Sequence, residues 1–105
     1  MITTTTPTIE SHPIQQYLGI VSSESIIGAN ILKDVLAVFR DIAGGRSETY
    51  EKVVDEARTN AINELVRKAQ SLGANAIVGI DLDFETVGAG SSMLMVLATG
   101  TAVRI

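Results

Sequence analysis

Hydrophobic positions recur along this chain with two periods, one of alternating residues and one of helical turns. From Ile14 to Val21, the residues Ile14, Leu18 and Ile20 share one parity and Tyr17 and Val21 the other. That predicts a strand with some burial on both sides. The period then changes. Ile31, Val35, Val38, Phe39 and Ile42 fall at helical spacing, and Leu32 and Leu36 widen the stripe. Lys33, Asp34, Arg40 and Asp41 are the few polar positions, so a helix over 31–42 is expected to be covered on more than one side, with Gly44 and Gly45 ending it. Ser47 is placed to cap a second helix that reaches Leu72, with Gly73 just beyond its end. Tyr50, Val54, Ala57, Ala61, Leu65, Ala69 and Leu72 form its apolar stripe, and the three alanines suit close approach to a sheet. Lys52–Glu56 and Glu64–Lys68 stand at i,i+4.

Alternation returns in the last third. Over 75–87, Ala76, Val78, Ile80, Leu82 and Phe84 share one face. Over 93–105, Met93, Met95 and Leu97 occupy one parity and Leu94, Val96 and Ala98 the other, the pattern of a strand buried on both sides. "GAGSS" between them has hairpin-loop composition. The order is β-α-α-β-β, an α+β fold built as a two-layer α/β sandwich, with a small, mostly antiparallel sheet packed on one long helix. The whole chain, 1–105, is one domain. Residues 1–8 form an N-terminal arm, expected as a frayed tail on a single subunit or as an added edge strand in an oligomer.

Composition changes this picture in one respect. The chain has 105 residues, 46% of them hydrophobic and 4% aromatic, so the apolar content is Ile, Val, Leu and Ala spread over most segments. That exceeds what so small a core hides, and large exposed apolar patches mark partners. Self-association follows. A net charge of −4 and the lack of a Lys/Arg cluster argue against nucleic acid. The absence of cysteine excludes disulfides, thiolate nucleophiles and thiolate metal ligands. No apolar stretch approaches the ~20 residues of a membrane span. The start "MITTTTPTIE" has neither a basic region nor an apolar core, which argues against a signal peptide and makes the cytoplasm the expected location.

The segment "GIDLDFETVG" spaces Asp81, Asp83 and Glu85 two apart, opposite Ile80, Leu82 and Phe84. On a strand successive members lie ~6.6 Å apart and the outer pair ~13 Å apart. Two such acids reach one cation, but a hard cation wants six to eight oxygens, more than one strand supplies. The wet face of a half-buried strand is the simpler reading. In a ring of subunits the same acids would add up around a pore. The lone His12 makes no metal site by itself. "AGGRSETYE" has glycines, an arginine and a capping serine before a helix, yet it lacks phosphate-loop spacing, and Glu48 and Glu51 hold the positive end of the dipole. Arg46 is expected to pair with one of those acids or with Asp41, within the chain or across a subunit boundary. "GAGSS" runs into a strand rather than a helix, so it is no dinucleotide fingerprint. No serine has an evident base or elbow motif, so Ser–His catalysis is not expected.

Taken in order, "IIGANI" (26–31), "FRDIAGGRSETYE" (39–51), "LGANAIVGIDLDFE" (72–85) and "SSMLMV…GTAV" (91–103) resemble the YbjQ-like family over nearly the whole chain. This is an uncharacterised family of small bacterial proteins that carries a heavy-metal-binding label. The resemblance implies a β-α-β-β core like a dodecin subunit, assembled as a pentameric ring with extra short strands aiding assembly. It supplies no catalytic residues. With no cysteine and one histidine, the chain offers oxygen ligands suited to calcium, magnesium or manganese rather than soft metals.

Three readings follow. The first is a non-enzymatic homo-oligomer, a pentamer by resemblance, acting as a scaffold or binding a small ligand between subunits, with no bound cofactor. Asn30, Arg40, Asp41, Arg46, Tyr50 and Glu51 are its candidate ligand or interface residues. The second is a divalent-cation binder using Asp81, Asp83 and Glu85. The third, an enzyme with acid–base chemistry from Glu85, Asp81 or Glu51 beside Arg46, ranks last.

Overall fold

The computed structural model describes residues 1–34 and 48–105. In chain order they form strand β1 (Ile2–Thr3), strand β2 (Gln16–Ile27), helical residues 29–34 (α1), helix α2 (Glu48–Ser71), strand β3 (Ala76–Val87) and strand β4 (Met93–Arg104). These strands make one four-stranded sheet of order β1-β3-β4-β2 among the described residues. β4 pairs antiparallel with β2 and β3, while β1 runs parallel to β3. The sheet is therefore mixed. The short turn Ala89–Ser91 closes the β3–β4 hairpin where "GAGSS" was read as its loop.

Helix α2 has nearly the expected limits, because its alanine and leucine stripe has a sheet to bury itself on. Ala57, Ala61, Leu65 and Ala69 are buried against Val21, Ile27, Ile77, Ile80, Val96, Ala98 and Ala102. Ser23, itself buried, donates its hydroxyl to the Ala61 carbonyl at 2.5 Å and ties the helix to β2. The expected i,i+4 pair Glu64–Lys68 does not form. Arg67 takes Glu64 at i,i+3 instead, and Lys68 donates to the Ser22 carbonyl of the edge strand at 2.7 Å. Arg58 and Asp55 pair at i,i+3 as well.

β2 runs six residues past the predicted end at Val21. "SSESII" has weak strand character alone. Pairing of Ser22–Ile27 with Thr99–Leu94 of β4 supplies the backbone partners that decide it. The helical stripe read from Ile31 is helical over 29–34, where Leu32 is buried and Ile31 is exposed. Its continuation through Val35, Val38, Phe39 and Ile42, the Gly44–Gly45 stop and the Ser47 cap lie outside the described residues.

Two glycine bulges correct the predicted faces. In β3 the register slips between Val78 and Asp81, with Gly79 at φ 63°. A bulge adds one residue to one strand and reverses the parity beyond it. Ile77 and Ile80 therefore both face the helix, whereas Ala76 and Val78 face away, packed with Val103, Ile9, Ile14 and Ile105. The two isoleucines close over Gly100 of β4, where an added Cβ would lie 2.7 Å from Ile77 Cγ2. A second slip between Tyr17 and Gly19 turns Leu18 inward with Val21 and leaves Tyr17 and Ile20 exposed. Phe84, expected in the core, is 45% exposed.

The N-terminal arm is not a frayed tail. Thr4 N donates to the Ile77 carbonyl at 3.0 Å, Gly79 N to Thr6 O at 2.8 Å and Ile80 N to Thr4 O at 3.0 Å. The threonines have strand propensity, and the outer edge of β3 presents backbone groups that need partners. The arm serves as an edge strand to its own chain.

Candidate functional site

The sheet has one face under α2 and one face away from it. On the outer face, alternation and register place Glu85, Asp83 and Asp81 of β3 directly beside Met95, Leu97 and Thr99 of β4, which in turn stand beside Ile26, Glu24 and Ser22 of β2. Met93, Met95 and Leu97 are half-buried, the four carboxylates are exposed, and no basic side chain occupies these rows. An apolar stripe thus runs beside an acidic row on β3, with Glu24 as the one acid on its β2 side among the described residues.

The bulge at Gly79 sets the carboxylates on this face. Asp81, Asp83 and Glu85 do point the same way, opposite Ile80 and Leu82, as the sequence predicted. Among the described residues no three of His, Cys, Asp and Glu are grouped to hold a metal ion. Glu24 is a fourth carboxylate that the sequence reading missed, because β2 was ended too soon. It lies two strands from Asp83, roughly 9–10 Å by strand spacing, too far to share one ion with it directly.

Asp83 is the perturbed group of the row. The neighbouring charge of Asp81 raises its pKa most, followed by a hydrogen bond with Asp81, burial and the charge of Glu85. Folded Asp83 thus holds its proton more tightly than unfolded Asp83. The stability that this proton preference contributes is present at acid pH and is lost as pH rises above the ordinary value of 3.8. Asp83→Asn is expected to raise Tm at pH 7 by about 1–3 °C, with the gain vanishing near pH 3. Thermal melts of both proteins at the two pH values check this, and an equal difference at both would refute the repulsion.

The other candidates lie elsewhere. Asn30 is exposed on α1, and Tyr50, half-buried, and Glu51, exposed, sit in the first turns of α2. Arg40, Asp41 and Arg46 lie outside the described residues, as do the pairings expected for Arg46. His12 is exposed in the irregular segment before β2. The donors on the outer face are carboxylates and methionine sulfurs, not thiolates or imidazoles.

With this geometry in hand, similarity to known proteins is informative. The YbjQ family model, described as "Putative heavy-metal-binding", matches residues 1–105. The UPF0145 protein GK1405 of Geobacillus kaustophilus (strain HTA426) is 59% identical over 105 residues, covering 100% of this chain and 98% of its own. A UPF0145 protein of Anoxybacillus flavithermus (strain DSM 21510 / WK1) is 55% identical with the same coverage. A crystal structure of a DUF74-family protein of unknown function from Pediococcus pentosaceus ATCC 25745 superposes with a TM-score of 0.65 at 22% identity, covering 100% of this chain and 97% of that one. The last likeness speaks to the fold alone.

Proposed function

The chain belongs to the YbjQ family, whose relatives here carry no named catalytic activity, and from that premise we propose that it works as a non-enzymatic homo-oligomer, a scaffold or a module that holds a small ligand between subunits. One observation carries the reading. On the outer sheet face Ile26, 55% exposed, stands beside the half-buried Met95, with Met93 and Leu97 flanking it on β4, and Ile20, 83% exposed, lies further along β2 opposite Thr101. Among the described residues only the end of this face near Ala76, Val78 and Val103 is covered, by Ile9, Ile14 and Ile105. Isolated exposed apolar side chains are ordinary, but a set shared by two neighbouring strands, Ile26 of β2 with Met93, Met95 and Leu97 of β4, marks an interface. The long edge of β2 adds backbone groups that pair readily with another strand. The pentamer implied by family resemblance is one assembly that would cover both.

Sedimentation equilibrium tests this directly. The expected mass is a fixed multiple of the 11.1 kDa chain, five for a pentamer, at micromolar concentration. Ile20→Asp with Ile26→Asp is expected to shift the population toward monomer while the far-ultraviolet dichroism stays unchanged. A wild-type chain that sediments as a monomer throughout would end the reading.

A further inference from the structure

We infer that Met93 and Met95, with Glu85 beside them, bind a soft monovalent cation of the copper(I) or silver(I) class. The site is built within one chain from methionines that also belong to the proposed interface, so ion binding and self-association are expected to compete for them. Both methionines sit on the outer face of β4, since Val96, Ala98 and Ala102 take the helix side. They are two residues apart, ~6.6 Å along the strand. Thioether sulfur is a soft ligand that selects copper(I), while carboxylates alone favour hard ions. A metal bridging two sulfurs at ~2.3 Å each needs them no more than ~4.6 Å apart. Three rotatable bonds per methionine make that closure available from strand spacing.

The surroundings fit a cation. Glu85 is the register partner of Met95 on β3, which places its Cβ about 4.5–5.5 Å from that of Met95. A negative group therefore stands beside the sulfurs, with Asp83 one step further along the same face. On the other side of Met95 is Ile26, which keeps that flank apolar. The Met93 arm lies over Gly88, where a Cβ would meet its Cε at 2.6 Å, so the glycine leaves this arm room to lie. The family's heavy-metal description names no donor, and the absence of cysteine rules out the usual thiolates. The thioether pair is the soft donor set that this chain places on one face.

Silver(I) in chloride-free buffer, titrated into the full chain carrying carbon-13 methionine methyls, tests the inference. The Met93 and Met95 methyl signals are expected to move together to an endpoint of one ion per chain. Met1, at the opposite end of β3 and 45% exposed, is the internal control and should stay in place. Met93→Leu and Met95→Leu keep side-chain volume and should each weaken binding at least tenfold by calorimetry. Glu85→Gln should weaken it less, and it serves if a leucine variant folds poorly. Three methyls moving alike, no movement at all, or a double leucine variant that binds silver as tightly as wild type would each overturn the site. A stripe of methionines serving only as an apolar surface gives one of these results.

Discussion

Leu65→Ala is expected to cost about 2–5 kcal/mol of stability, lowering Tm by on the order of 10 °C or more in a chain of this length. Leu65 is fully buried at the centre of α2, one of the largest such side chains, and it packs with the sheet residues that define the main cluster. Its neighbours on the helix stripe, Ala61 and Ala69, are fully buried and have no side-chain atoms beyond Cβ to swing into the void. The hole therefore persists, and the cavity adds to the lost transfer energy. Leu72→Ala, on the same predicted stripe but 47% exposed, should cost about 0.5 kcal/mol or less. Urea denaturation of the two variants separates the cases. Equal losses would mean that the end of α2 is covered as thoroughly as its middle, contrary to the single chain described above.

That comparison shows what the sequence could and could not deliver. The helix was legible because its signal is long and internally repeated: seven apolar positions, a glycine beyond its end and a polar opposite face all agree. The hairpin was legible too, since Gly88 to Ser92 separate two alternating runs. The faces were not. Strict alternation assigns Ala76, Val78 and Ile80 to one side, but a single inserted residue reverses everything after it. The signal was present in both bulged strands, as an isolated glycine inside an apolar run at Gly19 and Gly79. Reading those glycines as bulges would have placed Leu18 with Val21 and Ile77 with Ile80. The far half of β2 was not legible, since Ser22 to Ser25 become strand only through Thr99 to Val96. For the site, the common direction of Asp81, Asp83 and Glu85 was read correctly, because all three lie beyond the bulge. Glu24 was missed with the end of its strand. The methionines were read as core residues, since a count of cysteine, histidine and carboxylate leaves thioethers out.

Gly79→Val is expected to destabilise the fold by about 1–3 kcal/mol, and Gly79→Asn by visibly less. Gly79 adopts φ 63°, a left-handed conformation that β-branched residues avoid and that asparagine visits more readily. No atom lies within 4 Å of where its Cβ would stand, so crowding does not confound the comparison. The penalty reports backbone strain. Its consequence reaches the outer face, because a valine that straightens β3 by one residue would swing Asp81, Asp83 and Glu85 toward the helix and bring Ile80 and Leu82 into water. The buried pair Ile77 and Ile80 over Gly100 resists that slip, so strain rather than a new register is the expected result. Gly79 N also donates to Thr6 O, and amide exchange at residues 79 and 80 reads how firmly the N-terminal arm is held. Faster exchange there in the valine variant, with Asn75 and Ile105 still hydrogen-bonded to each other, would localise the damage to the bulge. Equal stability of the valine and asparagine variants would show that left-handed strain is not what the glycine relieves.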